Sequence, residues 1–181
     1  MGGFVAAFNG LAFRLVGPPF DLSVGQASLV FATYLFGSIS SPVAGRLAAR
    51  IGSRKVVPVS LLVFGAGVGL TLVEHLAAIA TGVALITIGF FAAHGTTSAW
   101  VTARAANKGR GTGMAGALYL AGYYFGSSVC GALAGLAWAS GGWPLVAVLV
   151  ALLVAGALAL AMSMHWVPSV PSRPFEPPAQ G

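Results

Sequence analysis

Gly45-Arg46-Leu47-Ala48-Ala49-Arg50-Ile51-Gly52-Ser53-Arg54-Lys55 sets four cations between two long apolar runs, 24–45 before it and 56–73 after it. Charge confined to a short gap between runs that can each cross a bilayer is the pattern of a polytopic membrane protein. The rest of the chain repeats the pattern in both directions. A hydrocarbon core of about 30 Å asks for roughly 20 apolar residues per helix at about 1.5 Å rise. Six apolar stretches, 1–16, 24–45, 56–73, 76–101, 112–138 and 143–164, follow one another with hardly a pause. Charged residues are only 7% of the 181 and hydrophobic ones 57%, too little charge to cover a water-soluble surface. The runs are continuously apolar without period-two alternation, which selects helices over a barrel. The expected fold is an all-α membrane protein, a six-helix transmembrane bundle over 1–166 with sequential helices as antiparallel neighbours.

Orientation follows from the cations. The gap between the fourth and fifth runs holds Arg104, Lys108 and Arg110, and the tail holds Arg173, so of nine Lys and Arg only Arg14 lies elsewhere. The alternate gaps carry Asp21, then Glu74 with His75, then Ser140-Gly141-Gly142. Positive-inside logic puts the two basic gaps and the C-terminus in the cytoplasm of a multi-pass protein. A net charge of +6 also suits nucleic-acid binding, but these cations are juxtamembrane and confined to gaps, so topology and anionic headgroups account for them and no nucleic-acid partner is expected.

The two ends are unlike. The run from Met1 to Val16 starts without a charged leader or a small-residue cleavage site, so it is not expected to be a secretory signal. At about 24 Å of helix it is short for the core, as in a helix lacking its first turns, so the chain is expected to be a fragment of something longer or to thin the bilayer locally. Residues 167–181 are Pro-rich and aperiodic, the composition of a disordered cytoplasmic tail; the Pro-x-x-Pro spacing at Pro168–Pro171 and Pro174–Pro177 is ordinary for such a segment.

Chemistry is sparse. Cys130 is alone, which proposes neither disulfide nor metal site, and no phosphate loop, zinc-protease pair, nucleophile elbow or close carboxylate pair occurs. Neither cofactor nor enzymatic activity is expected.

Polarity divides the runs. The third offers only Ser60 and Thr71 and the sixth only Ser163, as in lipid-facing scaffold, whereas the first, second, fourth and fifth carry polar side chains suited to an interior pathway. The pathway candidates are Asn9, Arg14, Tyr34, Ser38, His94, Tyr119, Tyr123 and Ser127. His94 is the titratable group deepest in a span and has two readings, a proton-coupling group or a structural histidine bonded to a neighbour. Arg14 has two as well, a cavity charge for an anionic solute or a side chain snorkelling to the interface. Tyr119, Tyr123 and Gly126 share one helical face, which suits either packing or an aromatic wall for an amphipathic solute. The pairs Gly65/Gly69, Gly122/Gly126 and Gly131/Gly135 have the small-x-x-x-small spacing of close helix contacts.

One internal echo stands out. Tyr34-Leu35-Phe36-Gly37-Ser38 matches Tyr123-Tyr124-Phe125-Gly126-Ser127, in runs expected to cross in opposite directions. Two similar three-helix units of opposite orientation are the inverted repeats from which secondary transporters build two access states.

The opening segment also resembles the cytoplasmic motif Gly-x-Leu-Ala-Asp-Arg-x-Gly-Arg-Arg/Lys of the major facilitator superfamily, in the copy between the eighth and ninth of its twelve helices. Gly45, Arg50, Gly52, Arg54 and Lys55 match, with Arg46 beside them; Ala49 stands at the Asp position and Ser53 at the first basic position of the closing pair. Leu11–Leu15, Gly89–Gly95 with Trp100, Ala117–Leu120, Tyr123–Ser128 and Gly142-Trp143-Pro144 are similar to the YnfM-like branch of its bacterial inner-membrane permeases. The resemblance covers residues 1 to about 166 and implies the C-terminal half of the twelve-helix fold. It implies a secondary active transporter of small organic solutes, an efflux permease with proton coupling, working by alternating access, with Gly45, Arg46, Arg50, Gly52, Arg54 and Lys55 as a cytoplasmic gate. The implied partners are the solute, the lipid bilayer, and an N-terminal six-helix half or a second copy. The alternative is a bundle with no transport of its own that needs such a half.

Overall fold

The computed structural model describes residues 1–107 and 111–163. Lys108, Arg110 and the tail at 167–181 lie outside the described residues. Among those described, every regular element is helical: α1 Gly2–Val16, α2 Val24–Phe31, a 3-10 turn Ala32–Tyr34, α3 Leu35–Ile51, α4 Ser53–Leu70, α5 Leu76–Asn107 and α6 Thr112–Ser163. In lipid each backbone N–H and C=O must be satisfied inside its own segment, which is why apolar runs of this length become helices. A capping box starts α2, with Gln26 N–H donating to Ser23 Oγ at 3.3 Å and Ser23 N–H donating to Gln26 Oε1 at 2.9 Å.

Four continuous runs are long and apolar enough to cross a membrane, Val24–Ile51, Ser53–Leu70, Leu76–Asn107 and Thr112–Ser163, and α1 is a shorter apolar helix. The 52-residue run of α6 far exceeds one bilayer and breaks at Gly141 (φ −160°, ψ 19°) and Gly142 (φ 61°, ψ −154°). The contacts of α1 tell how its two limbs run. Gly2 lies against Gly126 and Cys130, Gly131 approaches Val5, and Phe13 packs on Trp138, so the first limb runs parallel to α1. Gly10 meets Trp143 and Val146 whereas Gly3 meets Val150 and Leu153, so the second limb runs back.

The same reasoning orients the others. Phe31 reaches Phe8 and Tyr34 reaches Phe4, making α2–α3 antiparallel to α1. Gly37 abuts Phe91 and Gly95 abuts Ser41, so α3 and α5 are parallel. Gly67 meets Gly82 and Ile86, whereas Gly89 meets Ser60 and Phe64, so α4 is antiparallel to α5. Successive helical segments therefore alternate in direction. One end of the bundle collects Arg46, Arg50, Arg54, Lys55 and Arg104; the other holds Arg14, Asp21, Glu74 and the Gly141–Gly142 break.

Two expectations need correction. Gly45–Lys55 is not a loop: α3 continues to Ile51, only Gly52 leaves the helix, at φ 90° and ψ 141°, and α4 begins at Ser53. Likewise the helices of the second and fourth runs extend past 45 and 101, to Ile51 and Asn107. Hydropathy ends at the first charges, but an α-helix ends where its backbone torsions do, and arginines are good helix formers favoured in a last turn.

α5 is the hub, with half of its most apolar window buried. Its Gly82 and Gly89 sit against α4 so closely that a Cβ on Gly82 would lie 2.7 Å from the Gly67 carbonyl oxygen, and one on Gly89 2.6 Å from Phe64 N. The glycine pairs singled out by their spacing are not these. A Cβ on Gly69, Gly122 or Gly135 would meet nothing within 4 Å, and one on Gly65 only Val154, at 3.7 Å. Nor are the third and sixth runs simply outer scaffold. Phe64 and Val68 in α4, with Trp143, Val146 and Val150 in the second limb of α6, belong to the buried core.

Candidate functional site

An aromatic cluster joins four segments near mid-height. Phe4 and Phe8 project from one face of α1 by i, i+4 spacing, and Phe90 and His94 do the same from α5. Phe4 stacks on Phe90 with centroids 4.3 Å apart. Tyr34, in the 3-10 turn, meets Phe91 edge-on at 5.1 Å and reaches Phe4 and Phe8 at 6.0 and 6.1 Å. The first limb of α6 adds Tyr119 and Tyr123, whose rings lie 5.6 and 4.9 Å from the imidazole of His94. Close passage of α3 over α5 allows this: Gly37 faces the Phe91 ring, and any side chain there would collide with it.

The polar centre is the pair His94 and Tyr119. His94 Nδ1 is 2.8 Å from Tyr119 Oη, and the phenol also donates toward the His94 carbonyl at 3.4 Å. A phenol carries one proton. When it donates to the carbonyl, the ring must donate Nδ1–H to the phenol oxygen; when it donates to Nδ1, the ring proton sits on Nε2. The direction in which the phenol points therefore follows the tautomer of the ring, and a change of tautomer needs a proton to leave one ring nitrogen and another to reach the other. Beside the pair is a cavity of about 350 Å³ lined by Phe4, Phe64, Phe90, Trp100, Tyr119 and, at its basic end, Arg54.

Of the sequence candidates, Tyr34, His94, Tyr119 and Tyr123 come together here. The others lie apart. Arg14 is buried at the far end of α1, its guanidinium between the rings of Phe20 and Trp143 at 5.7 and 5.8 Å, beside the Trp143 Nε1–H bond to the Thr71 carbonyl. That places the charge at a helix C-terminus with cation–π partners rather than in the aromatic cluster. Asn9 is exposed, Ser38 Oγ donates to the Leu35 carbonyl of its own helix at 2.6 Å, and Ser127 is half-buried. Sequence reasoning passed over Phe4 and Phe8, and met Phe91 only within the Gly89–Gly95 stretch of the resemblance. The only signal of Phe4 and Phe8 was helical spacing, which buried packing produces as well.

Among the described residues no group of three His, Cys, Asp or Glu could hold a metal ion, and Cys130 is buried against Gly2.

The chain matches the Major Facilitator Superfamily family model over residues 1–180. It belongs to that superfamily. Its relatives in the superfamily include the E. coli K12 inner membrane transport protein YnfM, 39% identical over 165 residues, and the Bacillus subtilis MFS-type transporter YybF, 36% identical over 170. Each alignment takes in 91% of this chain but only 39% and 41% of the relative, so the chain spans about two fifths of their length. A Buchnera aphidicola transporter is 35% identical over 144 residues. No solved structure matches significantly. In this superfamily member the motif residues occupy one end of α3 and α4. Arg46 and Arg50 are exposed on the last turns of α3, Gly52 makes the turn, Arg54 is half-buried and Lys55 exposed. Gly45 has open space around it. The positive φ of Gly52 is the one backbone reason for a glycine in the motif.

Proposed function

We propose that the chain forms the C-terminal six-helix half of a secondary active transporter that moves small organic solutes across the inner membrane by alternating access. Six spans, in two inverted three-helix units, fit the alternating helix directions, with the Gly141–Gly142 break dividing α6. Efflux and proton coupling extend the family resemblance. The observation that carries the reading is the uncovered aromatic face next to His94 and Tyr119 in a superfamily member. Tyr34, Tyr124 and Phe125 are 47%, 64% and 73% exposed, on helices whose most apolar windows are only 22% buried. A second half lying on that face would enclose a compartment walled by aromatic rings, with phenols and one imidazole to replace a solute's hydration. Rocking of the halves would open it to either side, and the Gly45–Lys55 turn would brace the basic end.

The test is flux in vesicles. The chain alone is expected to move none of a panel of fluorescent organic cations and anions, and co-expression with a matching N-terminal half to restore saturable, gradient-driven movement. Saturable flux by the chain alone would replace this reading with a homodimer enclosing the pathway.

Orientation is tested separately. Single cysteines at Ser53 and Asn107 are expected to react with an impermeant maleimide only from the cytoplasm, and one at Ser140 only from outside. Labelling of Asn107 and Ser140 from the same side would exclude the six-span arrangement.

A further inference from the structure

Away from the aromatic cluster, a groove of about 600 Å³ runs between α3 and α4 over a floor of Ile88 and Ala92. Its α3 wall extends from Phe36 through Val43 to Ile51, roughly 22 Å of helix, enough to match the acyl layer of one leaflet, about 15 Å. At its basic end the wall includes Lys55. At about 100° per residue, Arg50 falls on the same face of α3, between Ile39 and Phe36, and Arg46 falls just outside Ile39. Lys55 therefore lines the basic end of an apolar groove, and the exposed Arg50 and Arg46 stand on or beside the same face of α3, next to its lining.

Among the described residues no carboxylate lies there. Of the chain's three acids, Asp21 and Glu74 lie at the opposite end of the bundle and Glu176 is outside the described residues. Ala49 precedes Arg50, so the turn between α3 and α4 brings no acid of its own. An apolar helix laid in the groove would cover the cations without an anion. A phosphodiester with acyl chains satisfies both parts of the surface at once, because guanidinium groups bind phosphate oxygens by paired N–H bonds and the chains fill the apolar trough.

We propose that this groove is a specific site for one anionic phospholipid, its phosphate held by Arg46, Arg50 and Lys55 and one acyl chain lying between α3 and α4. The lipid supplies a negative charge that no described residue supplies at this end. The site does not depend on what the aromatic cluster transports.

Native mass spectrometry of the full chain in detergent tests it with dioleoyl phosphatidylglycerol and dioleoyl phosphatidylcholine as probes. The wild-type chain is expected to retain one phosphatidylglycerol with about tenfold preference over phosphatidylcholine. Arg50→Gln with Lys55→Gln should bring that preference near unity. Val59→Trp, which fills the groove from an exposed position on α4, should weaken both lipids while circular dichroism stays unchanged. Glycerol phosphate, the headgroup without acyl chains, should not displace the lipid. Equal retention of the two lipids by the wild type, an undiminished preference in the charge variant, displacement by glycerol phosphate, or a chain dimer that excludes lipid would each overturn the proposal.

Discussion

Gly82→Leu is expected to abolish recovery of folded protein, whereas Gly69→Leu, on the partner helix of the same contact, is expected to be tolerated. The difference lies in what each new side chain meets. A Cβ on Gly82 would lie 2.7 Å from both the Gly67 carbonyl oxygen and Thr71 Cγ2, and backbone cannot swing aside as the tip of a long side chain can. α4 and α5 would have to separate along the line where Phe64, Val68, Val83 and Ile86 bury each other. Overpacking typically costs about 1–3 kcal/mol and occasionally more, and a clash with backbone belongs at the upper end, a large part of the stability of most folded proteins. Gly69 has nothing within 4 Å, so a leucine there extends into open space. Size-exclusion profiles of fluorescent fusions, scaled to total expression, measure both. A monodisperse Gly82→Leu protein at wild-type yield would contradict the close packing of α4 on α5.

The second large effect is expected at the bond between α5 and α6. His94→Leu removes the partner 2.8 Å from Tyr119 Oη, and Tyr119→Phe removes the same bond from the other side. Each should destabilise the chain by about 1–3 kcal/mol, the cost of leaving a partly buried polar group without its partner. Because both delete one interaction, the double variant should cost little more than either single one, and the cycle gives the strength of the pair. Thermal unfolding in detergent reads the effect, and strict additivity would mean that the two side chains do not act through each other. His94→Gln keeps a hydrogen-bonding group near the phenol and is expected to retain most of the stability. It is also expected to retain driven accumulation in the assembled transporter, consistent with a structural histidine. Loss of accumulation with solute exchange preserved would instead make His94 part of proton coupling.

The polar candidates sort in a way that reading along the chain does not reach. Tyr34 and Tyr123 are paired by a sequence echo, and both flank the Phe90–Phe91 pair, Tyr34 at 5.1 Å from Phe91 and Tyr123 at 6.5 Å from Phe90. Yet Tyr34 sits in a 3-10 turn and Tyr123 within an unbroken α-helical stretch, so similar residues adopt different local geometry. Arg14 reads the same as a pathway charge or an interface charge in the sequence. Its place between Phe20 and Trp143 follows from the second limb of α6 folding back beside α1, a contact between residues more than a hundred positions apart.

The sequence by itself determined that this is a helical membrane protein, because transfer of a run of side chains from water to hydrocarbon depends on composition summed over that run, and no partner is needed to evaluate it. It also determined the segregation of charge, since the gaps that carry cations alternate with those that do not. Only the tertiary structure decided which glycines touch, that the basic gap is a one-residue turn at Gly52, and that His94 meets Tyr119. Those depend on how each helix is rotated about its axis and how deeply its neighbour approaches, and almost every face of these helices is apolar enough to have been the buried one.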